Sequence, residues 1–213
     1  MKTTLTLLLT APLALLAACV TPNVAYNPRA DFSAIKRVAV ISFGGPQGDL
    51  AADLMTQSLL SHGADVVERQ QLDSTMKEQS MSASGSFDPA TAKQLGKLLG
   101  VDALFIGSVA ESTPQSSYLV SGAQNPIVAN VTQVSGGTVY SQGSVLGMPN
   151  AQILSTTANV ALISRMVDVQ TGSILWSASM SYEGFDITSA MSAITDAFIS
   201  SMTPIWPGLY KAK

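Results

Sequence analysis

The chain has 213 residues, with 11 Lys and Arg against 14 Asp and Glu, and a formal net charge of -3 at pH 7. This length suits one domain with a sizeable core, and the absence of a basic patch argues against a nucleic-acid partner. A single Cys excludes an intramolecular disulfide, and a single His leaves a metal cluster or a His-based acid/base pair without a second member. Only 12% of the residues are charged and 46% are hydrophobic, which suggests a surface covered by another chain or by lipid.

The first residues have the pattern of a secretory signal. Lys2 gives a basic start, Leu5 to Leu16 form an apolar run, and small residues lead to Cys19. The run is too short to span a bilayer, so residues 1–18 are predicted to be a cleaved signal peptide. Leu16-Ala17-Ala18-Cys19 resembles the bacterial lipobox, which implies that Cys19 carries lipid as the first residue of the mature protein. The alternative, an ordinary cleavage site, would leave an unpaired thiol in an oxidising compartment.

The residues after Cys19 predict where the protein resides. Several acyl chains on one Cys anchor a protein stably to a membrane. Val20 follows the Cys, whereas an Asp there is the usual signal for retention at the inner membrane of Gram-negative bacteria. The resemblance therefore implies lipid anchoring to the outer membrane, facing the periplasm. Residues 19–33 contain Pro22 and Pro28 and little apolar periodicity, so we expect a tether that reaches about 45 Å.

The remaining residues, 34–213, alternate between strand and helix patterns. The predicted strands are rich in Val and Ile, and the predicted helices are bounded by Asp caps and Gly stops. The predicted strands are Lys36–Phe43, Ala64–Glu68, Val101–Val109, Ala158–Val169 and Ser173–Tyr182, the last with Ile174 and Trp176 on one face. Four helices are predicted. The first begins at Asp49 and ends at His62, before Gly63. The others are Arg69–Ser80, Pro89–Leu99 before Gly100, and a last helix from Asp186 or Thr188 to Met202. These elements predict a single α/β (α+β) domain, a mixed sheet of about five strands flanked by helices.

An uncharged insert interrupts this domain at residues 112–157. It is built from Ser, Thr, Asn, Gln and Gly threaded with apolar residues, and no charged residue occurs from Ser112 to Ser164. Residues 127–132 and 138–146 can form the two arms of a β-hairpin around a Ser-Gly-Gly turn. The candidate membrane or subunit-contact residues of this hairpin are Ile127, Ala129, Val131, Gly136, Gly137, Val139 and Tyr140.

Three pieces of sequence together resemble a known family. They are VAVISF, then VVERQQLDSTMKEQ with DPATAKQLGKLLGVDALFIGSV, and finally NVALISRMVDVQTGSILWSASMS. This ordered set is similar to the CsgG-like family of bacterial lipoproteins over about residues 36 to 111 and 158 to 203. The resemblance implies an oligomerising envelope protein of the kind that serves curli or polysaccharide secretion.

The chain also departs from the curli-secretion channel of that family. That channel has an extended loop after its first strand and two membrane hairpins, whereas here only Gly44 to Gly48 occupy the loop position. Tyr182 leads directly into the last helix, which leaves no room for a second hairpin. The insert lies where the first membrane hairpin would be. It is therefore a lipid-inserted hairpin, a subunit-contact hairpin or lid, or a mobile loop, and the sequence leaves all three open.

No residue pattern indicates catalysis, a metal or a cofactor. His62 is expected to interact with the carbonyls at the end of its helix, and Gly44 to Gly48 lack the spacing and the Lys of a phosphate-binding loop. We expect an outer-membrane-anchored periplasmic lipoprotein that oligomerises and works with other envelope or secretion proteins in export or surface assembly. The alternative is a non-catalytic regulatory lipoprotein that binds an envelope enzyme such as a peptidoglycan synthase, although members with that role reach their enzyme on a longer linker.

Overall fold

The computed structural model describes residues 21–68, 74, 89–121, 139–144 and 151–210. In chain order the elements are β1 (Asn23–Tyr26), a short 3-10 helix (Phe32–Ala34), β2 (Arg37–Val40), α1 (Gly48–Ser61), β3 (Asp65–Val66), α2 (Pro89–Leu99), β4 (Ala103–Thr113), β5 (Ser117–Ser121), β6 (Val139–Ser144), β7 (Ala151–Thr156), β8 (Ala158–Asp168), β9 (Ile174–Gly184) and α3 (Ile187–Met202).

The main sheet has six strands in the order β1-β9-β8-β4-β2-β3. β2 is parallel to β3 and β4, and the other neighbours are antiparallel, so the predicted mixed α/β fold is confirmed with six strands. We call the end of the sheet where Ala158 pairs with Gly184 the upper end. The lower end is the opposite one, where Ala103 pairs with Asp168.

One face of the sheet is covered by α1 and α3. The apolar sides of both helices pack on this face and form the larger hydrophobic core. Its centre is aromatic. Trp176 makes edge-on contacts with Phe105 and Phe198, at ring-centroid distances of 6.3 Å and 5.7 Å, and Trp206 stacks on Phe105 at 6.4 Å. We call this the covered face.

The opposite face carries a smaller core under α2. Leu95 and Leu99 of this helix pack with Leu104 of β4 and with Val169. A Cβ on Gly96 would lie 2.4 Å from the Val169 side chain, so the small residue allows the helix to approach the sheet closely.

Most predicted helix ends are observed. Gly63 follows the end of α1 with φ of 84°, and Gly100 follows α2 with φ of 64°. These positive values favour glycine at the end of a helix. Asp186 caps α3 in a capping box, where its carboxylate accepts a hydrogen bond from the Ser189 N–H at 2.7 Å. His62 is buried, and its Nδ1 lies 2.8 Å from the Ser58 carbonyl oxygen at the end of α1, as expected from its position. α1 begins differently from the expectation, because its N-cap is Gln47 and Asp49 lies within the first turn.

The predicted tether is wrong for Asn23–Tyr26, which form the edge strand β1 along β9. Val24 packs against the larger core, and Phe32 and Ile35 are buried within it. Apolar side chains spaced among polar ones therefore attach this segment to the domain. Pro22, which has no N–H to donate, directly precedes the strand.

The prediction that Ile174 and Trp176 share one face of their strand is wrong, because a β-bulge lies beside them. β8 and β9 shift register between Met166 and Val167, so that Trp176 pairs with Met166 but Ile174 pairs with Val167. Ile174 is exposed, whereas Leu175 and Trp176 are buried, because the extra residue rotates the start of the strand. The predicted helix over Arg69–Ser80 lies outside the described residues apart from Ser74, as do the predicted signal peptide and Cys19.

Candidate contact surface of the sheet and the insert

The sheet has an exposed area on the side opposite α1 and α3, beyond the residues that α2 covers. We call this area the open face. The strands β4, β8 and β9 supply it, and its residues are Ser108, Ile163, Arg165, Ser177, Ser179 and Ser181.

The centre of the open face is a cross-strand row of Ser108, Ile163 and Ser179. The Ile163 side chain is 41% exposed, although it lies in the middle of a six-stranded sheet. A large apolar side chain in a row of hydroxyl groups provides both an apolar contact and hydrogen-bonding groups to a partner surface.

The next row toward the lower end places Arg165 between Ile106 and Ser177. Arg165 is exposed, and no carboxylate among the described residues forms a salt bridge with it. An exposed guanidinium group offers several donors for a carboxylate or a carbonyl of another molecule.

At the upper end, hydrogen bonds link the side chains of neighbouring strands. Asn159 Nδ2 donates to Glu111 Oε1 at 3.3 Å, and Ser181 Oγ donates to Asn159 Oδ1 at 3.3 Å. Thr157 Oγ1 donates to Glu183 Oε2 at 3.5 Å. The open face is therefore acidic at its upper end and basic at Arg165.

The described part of the insert forms a second sheet. Its three antiparallel strands have the order β5-β7-β6, and β7 leads through Thr157 into β8 at the upper end. Ser117 and Ser155 hydroxyls lie 3.0 Å apart across β5 and β7, and the Thr156 hydroxyl accepts from the Ser116 N–H at 2.8 Å.

Two of the predicted insert contact residues lie in this sheet. Val139 and Tyr140 open β6 and pair with Thr156 and Ser155 of β7. The sequence predicted that this arm pairs with residues 127–132, which lie outside the described residues. Ile127, Ala129, Val131, Gly136 and Gly137 lie outside them as well, so their contact role stays a prediction.

The short loop after β2 is fixed against β4. The Gly44 N–H donates to the Gly107 carbonyl at 2.9 Å, and the Val109 N–H donates to the Gly44 carbonyl at 2.8 Å. Gly45 has φ of 89°, and a Cβ there would lie 2.2 Å from the Val109 carbonyl oxygen. This loop therefore has a packing role in the sheet.

Two further observations concern the residues that the structure describes. They contain no group of three or more His, Cys, Asp or Glu side chains that could hold a metal ion. None of their helices combines the length and the apolarity needed to cross a bilayer.

A family model described as "curli production assembly/transport component CsgG" matches residues 24–200. The chain belongs to the CsgG family. The match runs from β1 to α3, includes the insert, and confirms the resemblance drawn from the three sequence pieces. CsgG-family membership supports a role for this chain in the bacterial envelope.

Several solved structures are similar to this CsgG-family chain. The PelC dodecamer from Paraburkholderia phytofirmans is 15% identical, with 83% of this chain and 97% of that chain covered and a TM-score of 0.43. Lipoprotein GNA1162 from Neisseria meningitidis is 17% identical, with coverages of 79% and 95% and a TM-score of 0.43. The LpoB C-terminal domain from Salmonella enterica is 17% identical, with coverages of 70% and 83% and a TM-score of 0.41. No curated protein matches the chain.

Sequence reasoning missed three features of the described structure. The strand β1 was missed although Val24 and Tyr26 alternate with Asn23 and Ala25, a weak strand signal. The exposure of Ile163 carries no sequence signal, because the residue looks like core in an apolar strand. The exposure of Phe185, which is 75%, was also missed. Its position in the short turn between Gly184 and the Asp186 cap of α3 was the sequence signal for that exposure.

Proposed function

We propose that this CsgG-family chain is a lipoprotein anchored at Cys19 to the outer membrane, on its periplasmic side. It acts without catalysis as an oligomerising component of an export or cell-surface assembly apparatus. The family description as an assembly and transport component supports this role. The observation that carries the oligomerisation is the open face around Ile163.

The open face has the features of a subunit contact. It is supplied by β8 and β9, strands in the interior of the sheet, so its backbone geometry is fixed. Covering the exposed part of Ile163 is worth about 1 kcal/mol for each copy, a modest contribution that neighbouring hydroxyl and charged groups can make specific. Arg165 lies on the same face as Glu111 and Glu183, so opposite charges are available where copies meet.

The insert extends the same region. β5 and β6 are the two edges of the described second sheet, and uncharged edge strands can pair with another chain. Val139 and Tyr140 at the start of β6 are therefore retained as subunit-contact residues in this proposal. The alternative for the insert is that the residues of its two predicted arms contact lipid.

The test is the mass of the lipidated, detergent-solubilised protein, measured by sedimentation velocity across a concentration series. We expect a species larger than the monomer. The variant Ile163→Glu, which places a carboxylate in the centre of the open face, should shift the protein toward the monomer. The matched control is Leu60→Glu, because Leu60 is a similarly exposed apolar residue on α1, on the covered side of the sheet.

A monomer at all concentrations for the unmodified protein would overturn the oligomerisation. Equal effects of Ile163→Glu and Leu60→Glu would remove the open face as the contact. The remaining alternative is a regulatory lipoprotein, and crosslinking in cells tests it. If the open face captured a cell-wall synthase and no copies of the chain, the regulatory role would be favoured.

A further inference from the structure

We infer that α3 of a second copy of the chain covers the open face, with Arg165 of one copy opposite Asp196 of the next. This inference rests on the oligomerisation proposed above. It goes further by naming the surface that meets the open face, the pair of charges at the centre of the contact, and the head-to-tail arrangement of the copies.

The first step is the shape of the open face. On the covered face α1 packs on β2, β3 and β4, while α3 packs on β8 and β9. On the opposite side α2 packs over β4 and rises about one helix diameter, roughly 10 Å, above the sheet. The open face therefore lies one helix layer below the outer surface of α2. A helix of another copy can reach the bottom of this step, whereas α2 holds a second flat sheet away from it.

The second step is the chemistry of the outer side of α3. Ser192, Ala193, Asp196 and Ser200 lie on this side at helical spacing, and all four are exposed or half-buried. The small side chains around Asp196 leave room for Ile163 of the open face. α3 has no Lys or Arg, and within the described part of the chain no cation forms a salt bridge with Asp196. Its carboxylate is thus available to the Arg165 guanidinium of another copy.

The third step compares the levels of the two charges. The rings of Phe198 and Trp176 are in contact, and Trp176 pairs with Met166, so Phe198 marks the level of Met166 in the sheet. Asp196 precedes Phe198 by two residues, about 3 Å toward the upper end of the domain. Arg165 precedes Met166 by one residue, about 3.4 Å in the same direction. The two charges lie at the same level on opposite sides of the sheet, so copies stacked without a vertical shift bring them together.

The fourth step compares the spacing along the two elements. Both β8 and α3 run from the upper end to the lower end of the domain. Ile163 lies two strand residues above Arg165, about 7 Å. Ser192 lies four helical residues above Asp196, about 6 Å. When Arg165 meets Asp196, Ile163 therefore meets Ser192 and Ala193.

The resulting contact is heterologous, because the open face and α3 are different surfaces of one copy. Each copy can therefore bind one neighbour through its open face and another through α3. α2 already occupies the layer over β4, so the next copy is rotated about an axis along the strands, which keeps its α1 clear of α2. Repetition of this rotation gives a curved assembly.

The experiment uses two charge-reversal variants of the lipidated full chain in detergent at low ionic strength. Arg165→Asp and Asp196→Arg each place like charges at the centre of the contact. Sedimentation velocity across a concentration series should show that each variant needs at least a tenfold higher concentration for half-assembly. The matched control is Asp65→Arg, which makes the same charge change on the edge strand β3, away from β8 and β9. It should assemble as the unmodified protein does.

An equimolar mixture of the two charge-reversal variants tests whether positions 165 and 196 face each other. In the mixture the carboxylate introduced at position 165 of one variant can face the guanidinium introduced at position 196 of the other. The native Arg165 of the second variant can in turn face the native Asp196 of the first. We expect the mixture to assemble at the concentrations where the unmodified protein does. Recovery also shows that both variants are folded.

A thiol crosslink tests the position of Ile163 without a change of charge. Lipidation consumes the thiol of Cys19, so a Cys introduced elsewhere is the single free thiol. Ile163→Cys is mixed with Ala193→Cys and treated with a short bis-maleimide. We expect severalfold more covalent dimer in the mixture than in either variant alone.

The possible outcomes separate this inference from the proposed function. An unmodified protein that stays a monomer at all concentrations overturns the proposed oligomerisation, and the inference fails with it. If the unmodified protein assembles and Asp196→Arg assembles equally well, the oligomerisation stands and the inference is wrong. A mixture of the charge-reversal variants that does not recover also overturns it. So does a covalent dimer of Ile163→Cys with itself as abundant as that of the mixture, which would place two open faces against each other.

Discussion

The covered face and the open face belong to the same six strands but differ in what lies on them. α1 and α3 bury an aromatic centre on the covered face, including Trp176, Phe105 and Phe198. On the other face α2 packs on one part only, and Ile163 stays exposed among hydroxyl groups. The difference indicates that the covered face supplies the stability of the domain, while the open face is available for contacts between molecules.

The largest expected effect is on the covered face. Trp176→Ala should lower the free energy of unfolding by about 3–5 kcal/mol, because it removes a fully buried indole and leaves a cavity. Ile163→Ala on the open face should lower it by less than about 1 kcal/mol. Urea unfolding followed by circular dichroism measures both values. Similar losses for the two variants would show that the faces contribute equally to stability.

An intermediate effect is expected at two glycines with positive φ, one on each side of the sheet. Gly100→Ala, after α2, should cost about 1 kcal/mol, since the added Cβ has nothing within 4 Å and only the φ of 64° opposes it. Gly45→Ala, which meets the Val109 carbonyl beside the covered core, should cost about 3 kcal/mol. Thermal unfolding of the two variants gives the comparison, and a Gly100→Ala loss as large as that of Gly45→Ala would contradict it.

The smallest expected effect lies in the segment that joins β1 to β2. The hydroxyl and N–H groups of Ser33 donate to the Asp31 carboxylate and hold its pKa below the ordinary value. A carboxyl with a lowered pKa in the folded state adds stability above its unfolded pKa and loses it as the pH falls through the folded pKa. Asp31→Ala should therefore be slightly less stable than the unmodified protein at about pH 6, with a difference that vanishes in strong acid. The midpoints of urea unfolding of Asp31→Ala and the unmodified protein, measured at several pH values, test this prediction. A difference between the two midpoints that grows in acid would contradict it.

The elements predicted correctly carry local signals. Asp186 before an apolar stripe predicted α3, and Gly63 and Gly100 predicted two helix ends, because each of these signals acts within one helical turn. The hairpin of β8 and β9 was also predicted, since its turn residues separate two apolar strands.

The features that were missed depend on residues distant in sequence. β1 has four residues, and its pairing with Trp176–Ser179 decides that it is a strand. The face of Ile174 depends on a bulge opposite Met166 and Val167. β6 was predicted as an arm, but its observed partner β7 was not, because neither segment has a regular apolar alternation. The open face could not be predicted, because periodicity alone does not tell which side of a strand a helix covers.

The pairing of β1 with β9 has a consequence for the order of folding. β1 is the first strand of the main sheet in chain order, and its partner β9 is the last, with most of the chain between them. Contacts between distant segments form slowly, because a long loop must close first. Asn23–Tyr26 therefore pair with β9 late in folding, after the neighbouring hairpin of β8 and β9 has formed. Until then β9 forms an edge of the main sheet, and β1 covers that edge when it pairs.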